Sequence, residues 1–265
     1  INEVRVAIGI EDENFDWELA SNESFETPVA LITYSHQGLT GVSQESQAFV
    51  TDYIIPKQFA HEERPILLNN WEATYFDFEK EKLLELAEDA KQVGVELFVL
   101  DDGWFGNRFD DNRALGDWFV NEEKLGGPLQ DLIEKVHAKG LKFGLWFEPE
   151  MISPDSKLYE KHPEWAIQIK GRTPSLCRNQ YVLDLSRKDV RDYVYEQVSG
   201  ILKSANIEYV KWDMNRQLTD LGSEEFYGDR AGELYHRYVL GVYELQERLV
   251  TDFPDLLLEN CSGGG

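Results

Sequence analysis

The chain of 265 residues sets 26 lysines and arginines against 50 aspartates and glutamates, a formal charge of −24, which argues against nucleic acid or an anionic membrane as partner and for a neutral or cationic small ligand. No apolar run approaches the ~20 residues of a spanning helix, so no membrane segment is expected. Two cysteines in polar, loop-like motifs, Cys177 and Cys261, offer no disulfide framework and suit a reducing, cytoplasmic setting.

The start, Ile1-Asn2-Glu3-Val4, is neither an initiator methionine nor a signal peptide, and the stop in Gly263-Gly264-Gly265 is as abrupt; both ends are expected to be cuts. Residues 1–45 read as β-structure: 4–8 and 15–19 alternate in polarity, 29–34 is a continuous apolar run, and polar turns separate them. Three strands do not close a stable sandwich, so they are expected to be the trailing edge of a preceding β-domain. Residues 46–65 then form a linker, with a helix near 46–53 and a connection ending at Arg64-Pro65.

From residue 66 to 265 the pattern becomes a regular alternation of strand and helix, the sign of parallel βαβ units. Six strands are expected, at 66–69, 96–100, 141–147, 181–185, 207–212 and 256–259. Between them Leu83, Leu86, Ala87 and Ala90 make one helical stripe stopped by Gly94, and Pro128 opens a second carrying Leu129, Leu132, Ile133 and Val136. Ser186 with Asp189 suggests a capping box for a third helix bearing Val190, Val194 and Val198, and a fourth spans about 231–250. Such units fit a doubly wound sheet or a (β/α)8 TIM barrel with about six of its eight units. The barrel is favoured, because the first strand ends in Asn69-Asn70-Trp71-Glu72 rather than a glycine-rich phosphate turn.

Polar and aromatic residues crowd the strand ends, where barrel enzymes keep their sites. Lys211 and Asp213 alternate onto one face of their strand, as do Trp146 and Glu148. An ionised pair inside a sheet costs several kcal/mol per ion unless well partnered. Carboxylates, amides and indoles together suit a sugar, whose hydroxyls take bidentate hydrogen bonds while its apolar face packs on a ring. Each feature also has a plainer reading. Lys211 and Asp213 could be a structural salt bridge, Asp101 and Asp102 a turn and cap, Trp146 core, Arg178 a solvated charge and the glycine run a linker.

Taken together, Asn69-Asn70-Trp71-Glu72-Ala73, Asp101-Asp102-Gly103-Trp104-Phe105-Gly106, Trp146-Phe147-Glu148-Pro149-Glu150-Met151, Cys177-Arg178-Asn179-Gln180, Lys211-Trp212-Asp213-Met214-Asn215-Arg216 and Asn260-Cys261-Ser262-Gly263-Gly264-Gly265 resemble the successive barrel motifs of the α-galactosidases of glycoside hydrolase family 36, the melibiase group. That resemblance implies an N-terminal β-sandwich domain ending at residues 1–45, a catalytic barrel over 66–265, a tetrameric assembly and no cofactor or metal. It implies a retaining hydrolase of melibiose- and raffinose-type α-galactosides, with Asp213 as nucleophile and Lys211 and Asn215 beside it on the sugar. It further implies Asp101 and Asp102 on the 4- and 6-hydroxyls, Trp146 as the wall of the sugar site, Arg178, Cys261 and Gly263 near the remaining hydroxyls, and Trp71 at the pocket mouth. The family's general acid/base aspartate follows the glycine run and is expected outside this chain.

Other readings of the same residues are a metal-dependent barrel with Glu150, Asp184, Asp213 and Glu259 as oxygen ligands, a Schiff-base aldolase using Lys211, a galactosyl transferase, and a galactoside-binding module without turnover.

Overall fold

The structure, a computed structural model, describes residues 4–262. The chain divides into two compact units, Ile1–Arg64 and Pro65–Gly265.

In the first unit the only regular elements among the described residues are helix α1, Gly38–Phe49, and the π-helical stretch Val50–Ile54 that continues it. The helix expected near 46–53 therefore begins a good two turns earlier. The three strands expected before it are not formed among the described residues, and Val4, Val6, Val29, Ile32 and Tyr34 are exposed. Alternation marks which face a strand would bury, but a strand also needs a neighbour to complete its ladder, and none is present here. Phe25 instead gathers Phe15 and Trp17 at ring-centroid distances of 6.1 and 4.7 Å.

The second unit is built on a five-stranded parallel sheet. Its elements are β1 (Leu67–Asn69), α2 (Trp71–Thr74), α3 (Lys80–Gln92), β2 (Leu97–Leu100), α4 (Leu129–Ala138), β3 (Lys142–Phe147), β4 (Met151–Ile152), α5 (Lys157–Lys161), β5 (Tyr181–Val182), α6 (Lys188–Ser204), β6 (Tyr209–Asp213), α7 (Leu234–Asp252) and β7 (Leu257–Cys261). The sheet order is β1-β2-β3-β6-β7, every pair parallel. The order never reverses along the chain, as it would at the switch point of a doubly wound sheet. Five successive strands of a (β/α)8 barrel are therefore present.

The fourth expected strand is corrected. Residues 181–185 do not enter the sheet, since Tyr181–Val182 pairs antiparallel with Met151–Ile152 and β3 pairs directly with β6. A short apolar run cannot by itself distinguish a sheet strand from a hairpin arm. The capping box is corrected too. Arg187 is the N-cap of α6, Ser186 turns to Asp184, and Asp189 accepts from its neighbour's Val190 N–H.

The core lies between sheet and helices. Leu83, Ala87 and Ala90 of α3, Leu129, Leu132, Ile133 and Val136 of α4, and Val190, Val194 and Val198 of α6 are all buried against it, as a 3.6-residue period requires. The opposite face of the sheet carries a smaller cluster, Leu97, Val99 and Tyr209 with Leu257. Gly144 sits in the middle of it. A Cβ at that position would lie 2.6 Å from Tyr209 Cδ1 and 3.0 Å from Val99 Cγ2, so only glycine lets the tyrosine ring cross β3. Among the described residues no helix is long and apolar enough to cross a membrane.

Candidate active site

Strand register assembles the site on the face that carries Tyr209. Trp146 pairs with Lys211 and Lys211 with Glu259, making one row, and Asp213 pairs with Cys261 one row nearer the strand ends. Lys211 Nζ reaches back to Asp101 Oδ2 at 3.0 Å, and the same oxygen accepts from Asn69 Nδ2 at 2.5 Å. Asn69 Oδ1 in turn accepts from the Trp71 N–H at 2.8 Å, while Asn70 Oδ1 accepts from the Asp101 N–H at 2.7 Å. The two asparagines thus tie the end of β1 to the end of β2. Burial pulls the Lys211 ammonium down, but the Asp101 carboxylate, seconded by Asp213, more than offsets it and holds the amine above its ordinary value. A lysine held charged is no Schiff-base nucleophile.

Asp102 is engaged differently. Arg108 grips it bidentately, Nε to Oδ1 at 3.0 Å and Nη2 to Oδ2 at 2.8 Å, with both side chains buried. Burial drives the Asp102 carboxyl above its usual range, and the guanidinium draws it part of the way back. Sequence reasoning missed Arg108. The available signal was a lone arginine six residues beyond an Asp-Asp-Gly turn.

Asp213 accepts from Asn215 Nδ2 at 2.7 Å and Trp146 Nε1 at 3.0 Å, both on Oδ2, and from the Met214 N–H at 2.9 Å on Oδ1. Three donors fix a carboxylate plane and stabilise its charge. The structure places Trp146 in the interior beside Asp213. It is 2% exposed, its ring runs near-parallel to Phe105 at 6.2 Å and lies 6.2 Å from Trp118, and its backbone carbonyl accepts from Trp104 Nε1 at 2.9 Å. The indole is a buried donor to Asp213.

The remaining predicted residues fall into three groups. Cys261 is half-buried beside Asp213, its carbonyl accepting from Met214 N–H at 2.9 Å, and Trp71 is half-buried with Tyr75 and Phe76 edge-on to it. Arg178 is not brought to Asp213. It is exposed on a tight turn with Asn179, at φ 52° and 61°, closed by the Cys177–Gln180 bridge. Two left-handed residues in succession are the mark of a type I′ hairpin turn. Gly263 lies outside the described residues.

Glu148 is the acidic residue that strand parity singled out without giving it a task. It is buried, its Oε1 accepts from Gln180 Nε2 and Asn215 N–H, and burial lifts it to about 7 against those two hydrogen bonds, with the Asp213 charge adding to the rise. The four carboxylates of the metal reading, by contrast, are held apart. Glu150 accepts from Trp212 Nε1 at 2.7 Å and Tyr238 Oη at 2.5 Å, Asp184 from Ser186 and Ser223, and Glu259 from Tyr209 Oη at 2.6 Å. Among the described residues no three His, Cys, Asp or Glu converge as a metal-holding group.

Comparison with known proteins gives a consistent set. The Melibiase family model matches residues 24–265. Alpha-galactosidase Mel36A of Lactobacillus acidophilus is 52% identical over 263 residues, 99% of this chain and 36% of that protein. The alpha-galactosidase AgaA of Geobacillus stearothermophilus is 51% identical over 261 residues, again 36% of its length. Its crystal structure superposes with a TM-score of 0.95 over 97% of this chain, and variants of it solved with stachyose and with raffinose superpose at 0.94. The chain spans about a third of the length of these relatives.

Proposed function

Since the chain belongs to the melibiase family, matched over residues 24–265, we propose that it carries the nucleophile half of a retaining α-galactosidase acting on raffinose- and melibiose-type oligosaccharides. The observation that carries this reading is Asp213, a strand-end carboxylate aimed by Trp146, Asn215 and Met214 and standing on the same sheet face as the Lys211–Asp101 pair. Raffinose and stachyose bound to a relative 50% identical to this chain support the substrate class.

In this mechanism Asp213 attacks the anomeric carbon while a second carboxyl protonates the departing oxygen, and water then releases galactose with retention. The donors on Asp213 hold its carboxylate in one plane, aimed from the strand end. Lys211, charged and half-buried, supplies a hydrogen-bond donor to a sugar hydroxyl and offsets the negative charge of the neighbouring aspartates. Asp101 and Asp102 are pre-aimed acceptors for two hydroxyls, held by Asn69, Lys211 and Arg108 before any ligand arrives. Pre-set acceptors of this kind discriminate by geometry, since a misplaced hydroxyl leaves one unpaired.

The test is a fluorinated galactosyl inactivator used on the full-length protein, with the labelled peptide identified. Label on Asp213 and retained α-galactose from an aryl α-galactoside are the expected results. Label on Asp184 or Glu148, or an inverted product, would sink the reading. A homotetramer, also proposed from the family, is checked by light scattering.

A further inference from the structure

Glu148 follows β3 and is 2% exposed. Its Oε1 accepts from Gln180 Nε2 at 2.7 Å and from the backbone N–H of Asn215 at 2.6 Å. The two donors belong to separate pieces of the site. Gln180 closes the turn that carries Arg178, and Asn215 is the residue whose side chain donates to Asp213 Oδ2 at 2.7 Å. Arg216 strengthens the same joint, its Nη1 donating to Gln180 O at 2.7 Å and to Ser175 O at 2.8 Å. One carboxylate oxygen thereby couples the Arg178 turn to the nucleophile's own strand.

We propose that Glu148 is a positioning residue for the reaction: through Asn215 it fixes the carboxylate of Asp213, through Gln180 it fixes the Arg178 turn, and its own charge state is felt at Asp213. The inference rests on Asp213 being the nucleophile.

The groups around Glu148 determine how it titrates. From β6 it faces the Asp213 carboxylate, with Lys211 lower on the strand already paired to Asp101. The turn offers the neutral amide of Gln180, and its Arg178 is exposed. Glu150, two residues on, is engaged by Trp212 and Tyr238, and Arg216 reaches it only by way of the Gln180 carbonyl. Among the described residues no cation bonds to Glu148. Burial above all, and then the Asp213 charge, raise it to about 7, so Glu148 holds a proton in mild acid and a negative charge in mild base.

The experiment reads the covalent step directly. A 2-deoxy-2-fluoro-galactosyl fluoride reacts as an Asp213 oxygen bonds to the anomeric carbon and fluoride departs with the C–F electron pair, with no proton needed from an acid. The labelling rate of the full-length protein is measured from pH 5 to 9 for the wild type, Glu148→Gln, Glu148→Leu and Gln180→Leu, with the labelled residue identified each time. In the wild type the log rate should bend near pH 7. Glu148→Leu should label about 10²-fold more slowly, the scale of a misplaced reacting group. Glu148→Gln, whose amide oxygen can accept both bonds but cannot ionise, should recover most of that loss and show no bend. Gln180→Leu, which frees only the turn, should raise KM for an aryl galactoside more than it lowers kcat. Label on Asp213 with the bend still present in Glu148→Gln would overturn this inference alone, as would wild-type rates in Glu148→Leu. Label on another residue would overturn it together with the proposed function.

Discussion

Replacing Arg108 by methionine tests whether the aspartate pair is held in place as a charged acceptor before ligand arrives. The guanidinium and the Asp102 carboxylate are 3% and 9% exposed as side chains and share three contacts of 2.8 to 3.2 Å. Arg108 Nη1 also donates to the Arg113 carbonyl at 2.7 Å. Removing one partner of a buried pair leaves the other uncompensated, a loss of about 3 to 5 kcal/mol. The sign with pH follows from linkage. The Asp102 carboxyl already sits above its unfolded value, so the native state keeps its proton longer, and stability declines as pH rises from the unfolded pKa to the folded one. Without Arg108 the folded value climbs further and the decline extends to higher pH. Urea unfolding of the full-length protein should therefore show Arg108→Met losing more at pH 8 than at pH 5, with Asp102→Asn added to it restoring part of the difference. A loss below about 1 kcal/mol at pH 8, within the range of an exposed pair, or one independent of pH, would refute the argument.

Galactosides should exceed matched α-glucosides in kcat/KM by roughly 5- to 150-fold, since an unpaired buried acceptor costs about 1 to 3 kcal/mol; equal values would remove the role given to Asp101 and Asp102. Trp146→Phe keeps the aromatic packing but deletes the donor to Asp213, so kcat should fall by about 10-fold, one hydrogen bond to a charged group, while KM changes little in steady-state kinetics. Lys211→Met strands Asp101 and should depress kcat/KM by about 10²-fold or more, and borohydride should trap no adduct on the wild-type lysine. Gly144→Ala should destabilise by about 1 to 3 kcal/mol through overpacking against Tyr209, and Tyr209→Leu in the same chain should relieve part of it, as read by denaturant midpoints.

The sequence was most legible where one period governs burial. The stripes of α3 and α4 appear as their spacing predicts, and strand parity put Lys211 with Asp213 on the face that became the site. It was least legible where a partner decides the outcome. Residues 181–185 have the composition of a sheet strand, yet Gly144 lets Tyr209 lie flush on β3 and β6 takes the place beside it. The turn that would aim Arg178 depends on two left-handed residues, neither of them glycine, so no composition cue marked it. The task of Glu148 escaped for a related reason. It is done by bonds to Gln180 and to the Asn215 N–H, 32 and 67 residues away, and single-sequence patterns record only near neighbours.

The seam between β3 and β6 has a consequence for the order in which the molecule matures. Asn69 and Asp101 are 32 residues apart in the chain, Trp146 and Asp213 are 67 apart, and Asp101 and Lys211 are 110 apart. Closing a loop twice as long costs only ~0.6 kcal/mol at equilibrium, so the seam is inexpensive once made. Contacts of long sequence separation nonetheless slow folding, and the Trp146 donor to Asp213 reaches it across this junction. The left part of the sheet, β1 to β3, can therefore be native in backbone and core while the carboxylate of Asp213 still lacks its Trp146 donor. The bond from Trp146 to Asp213 waits on the closing of that seam, and a break there removes it.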